Sequence, residues 1–283
     1  MTRAVIDAHL HTWERAKNPQ TWIDPTTMAA IDRDFSMAQA GEEIAARGTT
    51  GCVVVQAVNT RGETRDLLAA SSAPGVLGVV GWVDLTGDVA AQLDHLRSAP
   101  GGDALLGIRH LVHLEPDQDW LLRADVSRGI DALAAAGLPF DLVVRPWQLT
   151  VAGQFARAHP STLLVLDHLG KPPITSPEIV RWTTDLRELA RHDNVVAKVS
   201  GLTIEDDWET WTAERLRPVL DHALETFGPD RLMFGSDWPL VELTGGYESW
   251  MGAYLTLTAE LSATEQTRID AHTARRVYST PWP

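Results

Sequence analysis

Residues 4–13 read Ala-Val-Ile-Asp-Ala-His-Leu-His-Thr-Trp. Ala4-Val5-Ile6 is a short apolar run of the kind that forms a strand buried on both faces. Directly after it stands Asp7-Ala8-His9-Leu10-His11. An open, doubly wound sheet normally follows its first strand with a glycine-rich phosphate-binding turn. Here His-Leu-His occupies that place, which favours a closed barrel if strand and helix keep alternating.

They do alternate. Further apolar runs span 51–56, 76–83, 105–110, 138–144, 163–166, 195–199 and 232–234. Amphipathic segments of helical type lie between them, at 64–73, 89–99, 124–136, 176–192 and 215–227. Two of these stop at a glycine, Gly137 and Gly228, as helix C-termini commonly do. The segment at 176 opens Ser-Pro-Glu, a proline-led N-terminus. Residues 14–37 show no clear periodicity and read as a long loop after the first strand. Eight strands alternating with helices predict an α/β fold, the (β/α)8 TIM barrel.

The chain has 283 residues, 44% hydrophobic and 22% charged, which fits one large α/β barrel or two ordinary domains. No Gly-, Ser- or Pro-rich linker divides it, so a single unit over 1–283 is expected. The single cysteine, Cys52, allows no intrachain disulfide and sits in an apolar run, where it reads as a small buried hydrophobe. A net charge of −14 repels nucleic acid and anionic membrane alike. No 18-residue apolar run and no secretory signal are visible, so a cytoplasmic protein is expected.

In such barrels the active site forms at the C-terminal strand ends. His9 and His11, two apart on a strand, face the same side and are placed to share one metal ion or one substrate oxygen; two histidines without a metal is the plainer reading. The sixth run ends Asp167-His168-Leu169-Gly170-Lys171-Pro172, and the eighth ends Gly235-Ser236-Asp237-Trp238-Pro239. A polar pair directly after an apolar strand is costly unless it is satisfied or stands at the mouth. Each end alone reads equally as a helix cap or turn. Barrel closure, however, brings strand eight beside strand one. Gly-Lys-Pro at 170–172 lacks the spacing of a P-loop.

Across nearly its whole length the chain resembles the sugar lactonases of the amidohydrolase superfamily. The resemblance rests on Asp7-Ala8-His9-Leu10-His11-Thr12-Trp13, Gly81-Trp82-Val83-Asp84, Gly107-Ile108-Arg109-His110, Asp119-Trp120-Leu121-Leu122, Leu138-Pro139-Phe140-Asp141-Leu142, Asp167-His168-Leu169-Gly170-Lys171-Pro172, Lys198-Val199-Ser200-Gly201-Leu202 and 228–239. It implies a central constellation of His9, His11, His168 and Asp237, with Asp237 moving protons and a sugar lactone as the small-molecule substrate. Many members of the superfamily hold one or two divalent metals, whereas some of these lactonases work without one. The fifth strand here offers neither histidine nor a bridging lysine, which argues against a dinuclear site. One zinc-like ion on His9, His11, His168 and Asp237 is the expected cofactor, with metal-free catalysis as the alternative.

Arg109, His110, His113 and Arg145 cluster near the ends of strands four and five and are candidates for stabilising an oxyanion or holding a polyol. Trp13 and Trp147, just past strand ends, are candidate platforms for a sugar ring. A superfamily decarboxylase acting on a small carboxylic acid and a non-catalytic sugar-binding barrel are the rival readings. The missing histidine on strand five counts against the first, and the joint presence of the four central residues against the second.

Overall fold

The computed structural model describes residues 3–279; residues 1–2 and 280–283 of the expected 1–283 unit lie outside the described residues. Eight strands form one parallel sheet in sequence order: β1 (Val5–Leu10), β2 (Thr49–Val55), β3 (Val76–Gly81), β4 (Leu105–His110), β5 (Phe140–Leu142), β6 (Leu164–Leu166), β7 (Val195–Val199) and β8 (Leu232–Phe234). The sheet closes where Leu10 bridges Trp238 in parallel, with Asp237 N donating to His9 O at 2.8 Å. The (β/α)8 barrel expected from the alternation is the fold observed. Among the described residues no helix is long and apolar enough to cross a membrane.

The main outer helices are α1 (Met37–Ala46), α2 (Arg61–Ala69), α3 (Val89–Arg97), α4 (Ala124–Ala135), α5 (Leu149–Ala158), α6 (Ile179–Ala190), α7 (Ala213–Phe227) and α8 (Gly246–Leu257). Residues 14–36 are largely loop, as expected, with one 3-10 turn at Ala29–Ile31. The loop is pinned where Trp13 and Phe35 exchange backbone hydrogen bonds of 2.9 Å. Helix α1 begins there because Ser36 and Gln39 form a capping box. Helix α2 starts three residues before its predicted position, because Thr60 caps it by accepting from Glu63 N. Helix α6 starts three residues late, its proline-led segment being spent on turns.

Two apolar layers result. The larger lies between strands and helices. A smaller one fills the barrel, with Ile6, Ala8, Val53, Val55, Val80, Val165, Val196 and Met233 packed against Ala271, Ala274, Val277 and Tyr278 of the C-terminal segment. That segment plugs the end of the barrel opposite the mouth.

An irregularity in β1 sets up the mouth. Asp7 pairs with Cys52 but Leu10 pairs with Val54, so three steps on β1 match two on β2. One extra residue switches the phase of the pleat. Ile6 and Ala8 point into the barrel, and after the switch so does His9, which meets inward-facing Lys198 and Asp167. Gly235 allows this, since a Cβ there would lie 2.7 Å from His9 Cβ.

Gly129 in α4 tests the packing. Alanine normally stabilises a helix interior by about 1 kcal/mol over glycine. Here a Cβ would collide with the Leu85 carbonyl oxygen. We expect Gly129→Ala to lower the denaturant midpoint, by about 1–3 kcal/mol of stability as overpacking costs. An unchanged or raised midpoint would show that α4 is free to shift.

Candidate active site and metal centre

The ends of β1, β6 and β8 deliver His9, His11, His168 and Asp237 to one point at the mouth. His9, His168 and Asp237 each offer a ligand atom, all within 4.8 Å of one another and all buried. His11 Nε2 lies 3.2 Å from His9 Nε2 and 3.3 Å from Asp237 Oδ1, which adds the fourth member. Two of the four occupy left-handed backbone, His168 at φ 53° and Asp237 at φ 61°. His168 belongs to a run with Leu169, Gly170 and Lys171, all at positive φ. Non-glycine residues rarely adopt that region, and it costs roughly 1–2 kcal/mol each. The turn is held by Leu169, fully buried, whose carbonyl accepts from Trp182 Nε1 at 2.9 Å.

The ring orientations are fixed from behind. His11 Nδ1 donates to Val55 O at 2.8 Å, which turns Nε2 toward Asp237. His168 Nδ1 meets Ser200 Oγ at 2.9 Å. Burial pushes the imidazoles of His9 and His168 well below the usual histidine range, so both are neutral and available as ligands. Asp237 Oδ1 is buried with no hydrogen-bond partner. An orphaned carboxylate oxygen among neutral imidazoles is a donor set of the kind that takes a divalent, zinc-like ion. The residues fit such an ion. Gly201 keeps the centre open: a Cβ at its φ of 63° would stand 2.6 Å from His168 Nδ1 and 2.9 Å from Asp237 Oδ2.

Beneath the centre runs a buried charge network. Lys198 Nζ lies 2.5 Å from Asp141 Oδ2, 3.1 Å from Asp167 Oδ1 and 3.0 Å from His9 Nδ1. Asp167 also pairs with Arg109 Nε at 2.7 Å, and Asp141 accepts from Tyr278 Oη at 2.7 Å. Burial pushes the Asp141 carboxyl up to about 6 against the pull of Lys198. Burial also acts on Asp167, but Lys198, His9 and Arg109 outweigh it and hold that carboxyl well below the usual range. Sequence reasoning did not reach this network. A signal was present, since Lys198 and Asp141 interrupt apolar strands where an unpaired charge is prohibitive.

Above the centre opens a cavity of about 450 Å³. His11, His168 and Asp237 stand in its wall, as do the predicted Arg109, His113 and Arg145. His113 is pushed down to about 3 by burial and by the nearby Lys171, Arg109 and Arg145, and its buried Nδ1 has no partner. Three other candidates are not in the wall. His110 is locked between Trp82 Nε1 at 3.0 Å and Glu115 Oε1 at 2.7 Å and stacks on Trp120, so its polar atoms are spent on structure. Trp147 rides on the turn after β5 with 55% of its surface exposed, outside the cavity. Trp13 is buried behind His11, in an aromatic cluster with Trp22 and Phe35. The aromatic rings in the wall are Trp22 and Trp208, from loops whose course the sequence pattern does not give.

A parallel eight-stranded barrel with a buried His/His/Asp cluster at its C-terminal rim is the architecture of a metal-dependent hydrolase. The amidohydrolase family model matches residues 6–280. An L-fucono-1,5-lactonase of Burkholderia ambifaria is 38% identical over 259 residues, 88% of this chain and 85% of that protein. An L-fucono-1,5-lactonase of Burkholderia multivorans is 36% identical over 98% of this chain and 97% of its own length. A crystal structure of a Burkholderia multivorans amidohydrolase with bound zinc superposes with a TM-score of 0.90 at 34% identity, covering 98% of this chain and 100% of that one. The chain belongs to the amidohydrolase family, and within it to the sugar-lactonase branch.

Replacing Lys198 by Met should leave two buried carboxylates unbalanced and cost about 3–5 kcal/mol of stability, as breaking a buried ion pair does. Adding Asp141→Asn to Lys198→Met should recover part of the loss in urea unfolding. Equal midpoints for wild type and Lys198→Met would mean that the network does not hold the barrel.

Proposed function

We propose that this protein hydrolyses a sugar-derived lactone, an aldonolactone of the L-fucono or L-rhamnono type, to the open-chain acid. The observation that carries the reading is Asp237 Oδ1, an unpartnered carboxylate oxygen among neutral imidazoles at the floor of a mixed polar and apolar cavity. The identity to L-fucono-1,5-lactonases over nearly the full chain supports it. His9, His11, His168 and Asp237 would hold a single divalent ion. When bound, such an ion supplies positive charge that polarises a carbonyl and makes water more acidic.

The chain's own groups account for the remaining steps. Asp237 takes a proton from the attacking water as its oxygen adds to the lactone carbonyl carbon. Arg109 and His113 face the cavity and stabilise the oxyanion that forms. The bond between that carbon and the ring oxygen then breaks, and the proton held by Asp237 passes to the departing oxygen. The product is a hydroxy acid, and water is the only co-reactant. Trp22 and Trp208 supply apolar faces for the C–H side of a sugar ring. The proposed setting is the cytoplasm, where the buried thiol of Cys52 stays reduced.

Incubation with L-fucono-, L-rhamnono-, L-galactono- and D-arabinonolactones in weak buffer should release acid. A folded sample that opens none of them above background would end the lactonase reading. Asp237→Asn should lower turnover by at least ~100-fold, the lower end of what a general acid–base group contributes; near-normal turnover would remove Asp237 from proton transfer.

Elemental analysis of the purified protein should find about one zinc-like ion per chain, since the candidate ligands converge on a single point. Dialysis against a chelator should remove ion and activity together, and added zinc should restore both. Full activity in demonstrably metal-free protein would favour the metal-free alternative.

A further inference from the structure

The cations of the cavity are arranged unusually for a site that takes a charged substrate. Arg109, Arg145 and Lys171 all stand in the wall, on the ends of three neighbouring strands. Together they would form a strong anion-binding corner. Each, however, already faces an acid. Arg109 is held by Asp167 at 2.7 Å. Lys171 Nζ donates to Glu205 Oε1 at 2.6 Å, and Arg145 Nη1 lies 3.9 Å from the other oxygen of the same carboxylate. Glu205 comes from the loop after β7 and reaches across two strand ends to meet both. Lys171 and Glu205 are largely buried, so their pairing is only weakly screened by water.

We propose that Glu205 is a specificity-determining residue: by occupying Lys171 and Arg145 it closes the cavity to lactones that carry a carboxylate and reserves it for uncharged polyol lactones. The proposal rests on the lactonase reading given above. A carboxylate approaching this corner meets cations that already face an acid, Lys171 hydrogen-bonded to Glu205 and Arg145 within 3.9 Å of it, and shares the cavity with two acids, Glu205 and Asp237. A hydroxyl, in contrast, finds donors and acceptors already set in place: the remaining Lys171 and Arg145 hydrogens, the Glu205 lone pairs and the unpartnered Nδ1 of His113. The side opposite the charged corner is apolar, with Trp22, Met28 and Leu240, and offers nothing to an anion. The net charge of −14 works in the same direction at longer range.

Glu205→Gln keeps the size of the side chain and removes its charge, leaving Lys171 and Arg145 free to bind an anion. Wild type and variant are compared on a neutral aldonolactone and on glucarolactone, which carries a carboxylate. The ratio of kcat/KM for the charged lactone to that for the neutral one should rise at least ~10-fold in the variant, about what one well-placed charged partner contributes. The gain should appear in KM and fade as salt is raised. A second readout needs no turnover: titration with glutarate, a non-reacting dicarboxylate, followed through tryptophan fluorescence from Trp22 and Trp208. The variant should bind glutarate at least ~10-fold more tightly than wild type, and adding Lys171→Met should abolish the gain. An unchanged ratio, or glutarate affinity equal in wild type and variant with both folded by circular dichroism, overturns the proposal. Because glutarate binding does not depend on hydrolysis, a protein that opens no lactone yet shows the shift defeats the lactonase reading alone.

Discussion

A single ammonium group inside the barrel sets the geometry of the mouth. Lys198 Nζ lies within 3.1 Å of Asp141, Asp167 and His9, which places strands β1, β5, β6 and β7 around one point. Desolvating these charges costs several kcal/mol per ion, and an apolar core of equal volume would be at least as stable. The network is therefore better understood through position than through stability. Asp167 holds the back of His9 on one oxygen and Arg109 on the other, so the ring at the centre and the guanidinium in the wall are set by one carboxylate. Asp141 passes the constraint downward to Tyr278, in the segment that plugs the far end of the barrel. The inner end of the site is thus tied to the C-terminal segment.

Strain complements charge at the rim. His168, Leu169 and Lys171 at positive φ after β6, together with Asp237 after β8, store conformational energy that the surrounding packing must hold. The hold comes from buried Leu169, from Trp182, and from the backbone exchange between β1 and β8 at His9 and Asp237. The extra residue in β1 serves the same end, because without it the pleat would carry His9 to the outer face. Glycines stand where these parts come closest, Gly235 against His9 and Gly201 against His168 and Asp237. An alanine at 201 would push into the space the ligand atoms share.

Much of this was legible in the sequence, for definite reasons. Parallel strands buried on both faces leave continuous apolar runs, and so all eight showed. His9, His11, His168 and Asp237 were visible because three such runs end in polar residues, although each end alone reads equally as a cap or turn. Closure brought strand eight beside strand one, and the resemblance to the sugar lactonases implied that all four converge. Partnership across the barrel was not legible: nothing in the spacing of Asp141, Asp167 and Lys198 says that they meet. The wall was harder still. His110 sits at the end of a strand as His9 does, yet Trp82 and Glu115 occupy its polar atoms, and only coordinates reveal such partners. Trp147 follows its strand as Trp13 does, but the turn after β5 carries it outward, while Trp22 and Trp208 arrive from loops without periodic pattern. Helix α1 was recoverable in principle, since Ser36 and Gln39 form a capping box that the aperiodic stretch before them obscured.

The charge balance of the cavity connects the site to the reaction proposed for it. In the proposed reaction a neutral lactone enters and an anion leaves. A wall of unpaired arginine and lysine would bind that product more tightly than the substrate and slow each turnover at release. With Arg109 committed to Asp167 and Lys171 to Glu205, the positive charge is present but already satisfied. It is available to a transient oxyanion near Arg109 and His113, where charge appears only as the reaction proceeds, and much less so to a finished carboxylate moving outward past Glu205. Stabilisation confined to the developing charge is what accelerates a step without trapping its product. On this account the acids of the wall matter to turnover as much as the cations they pair with.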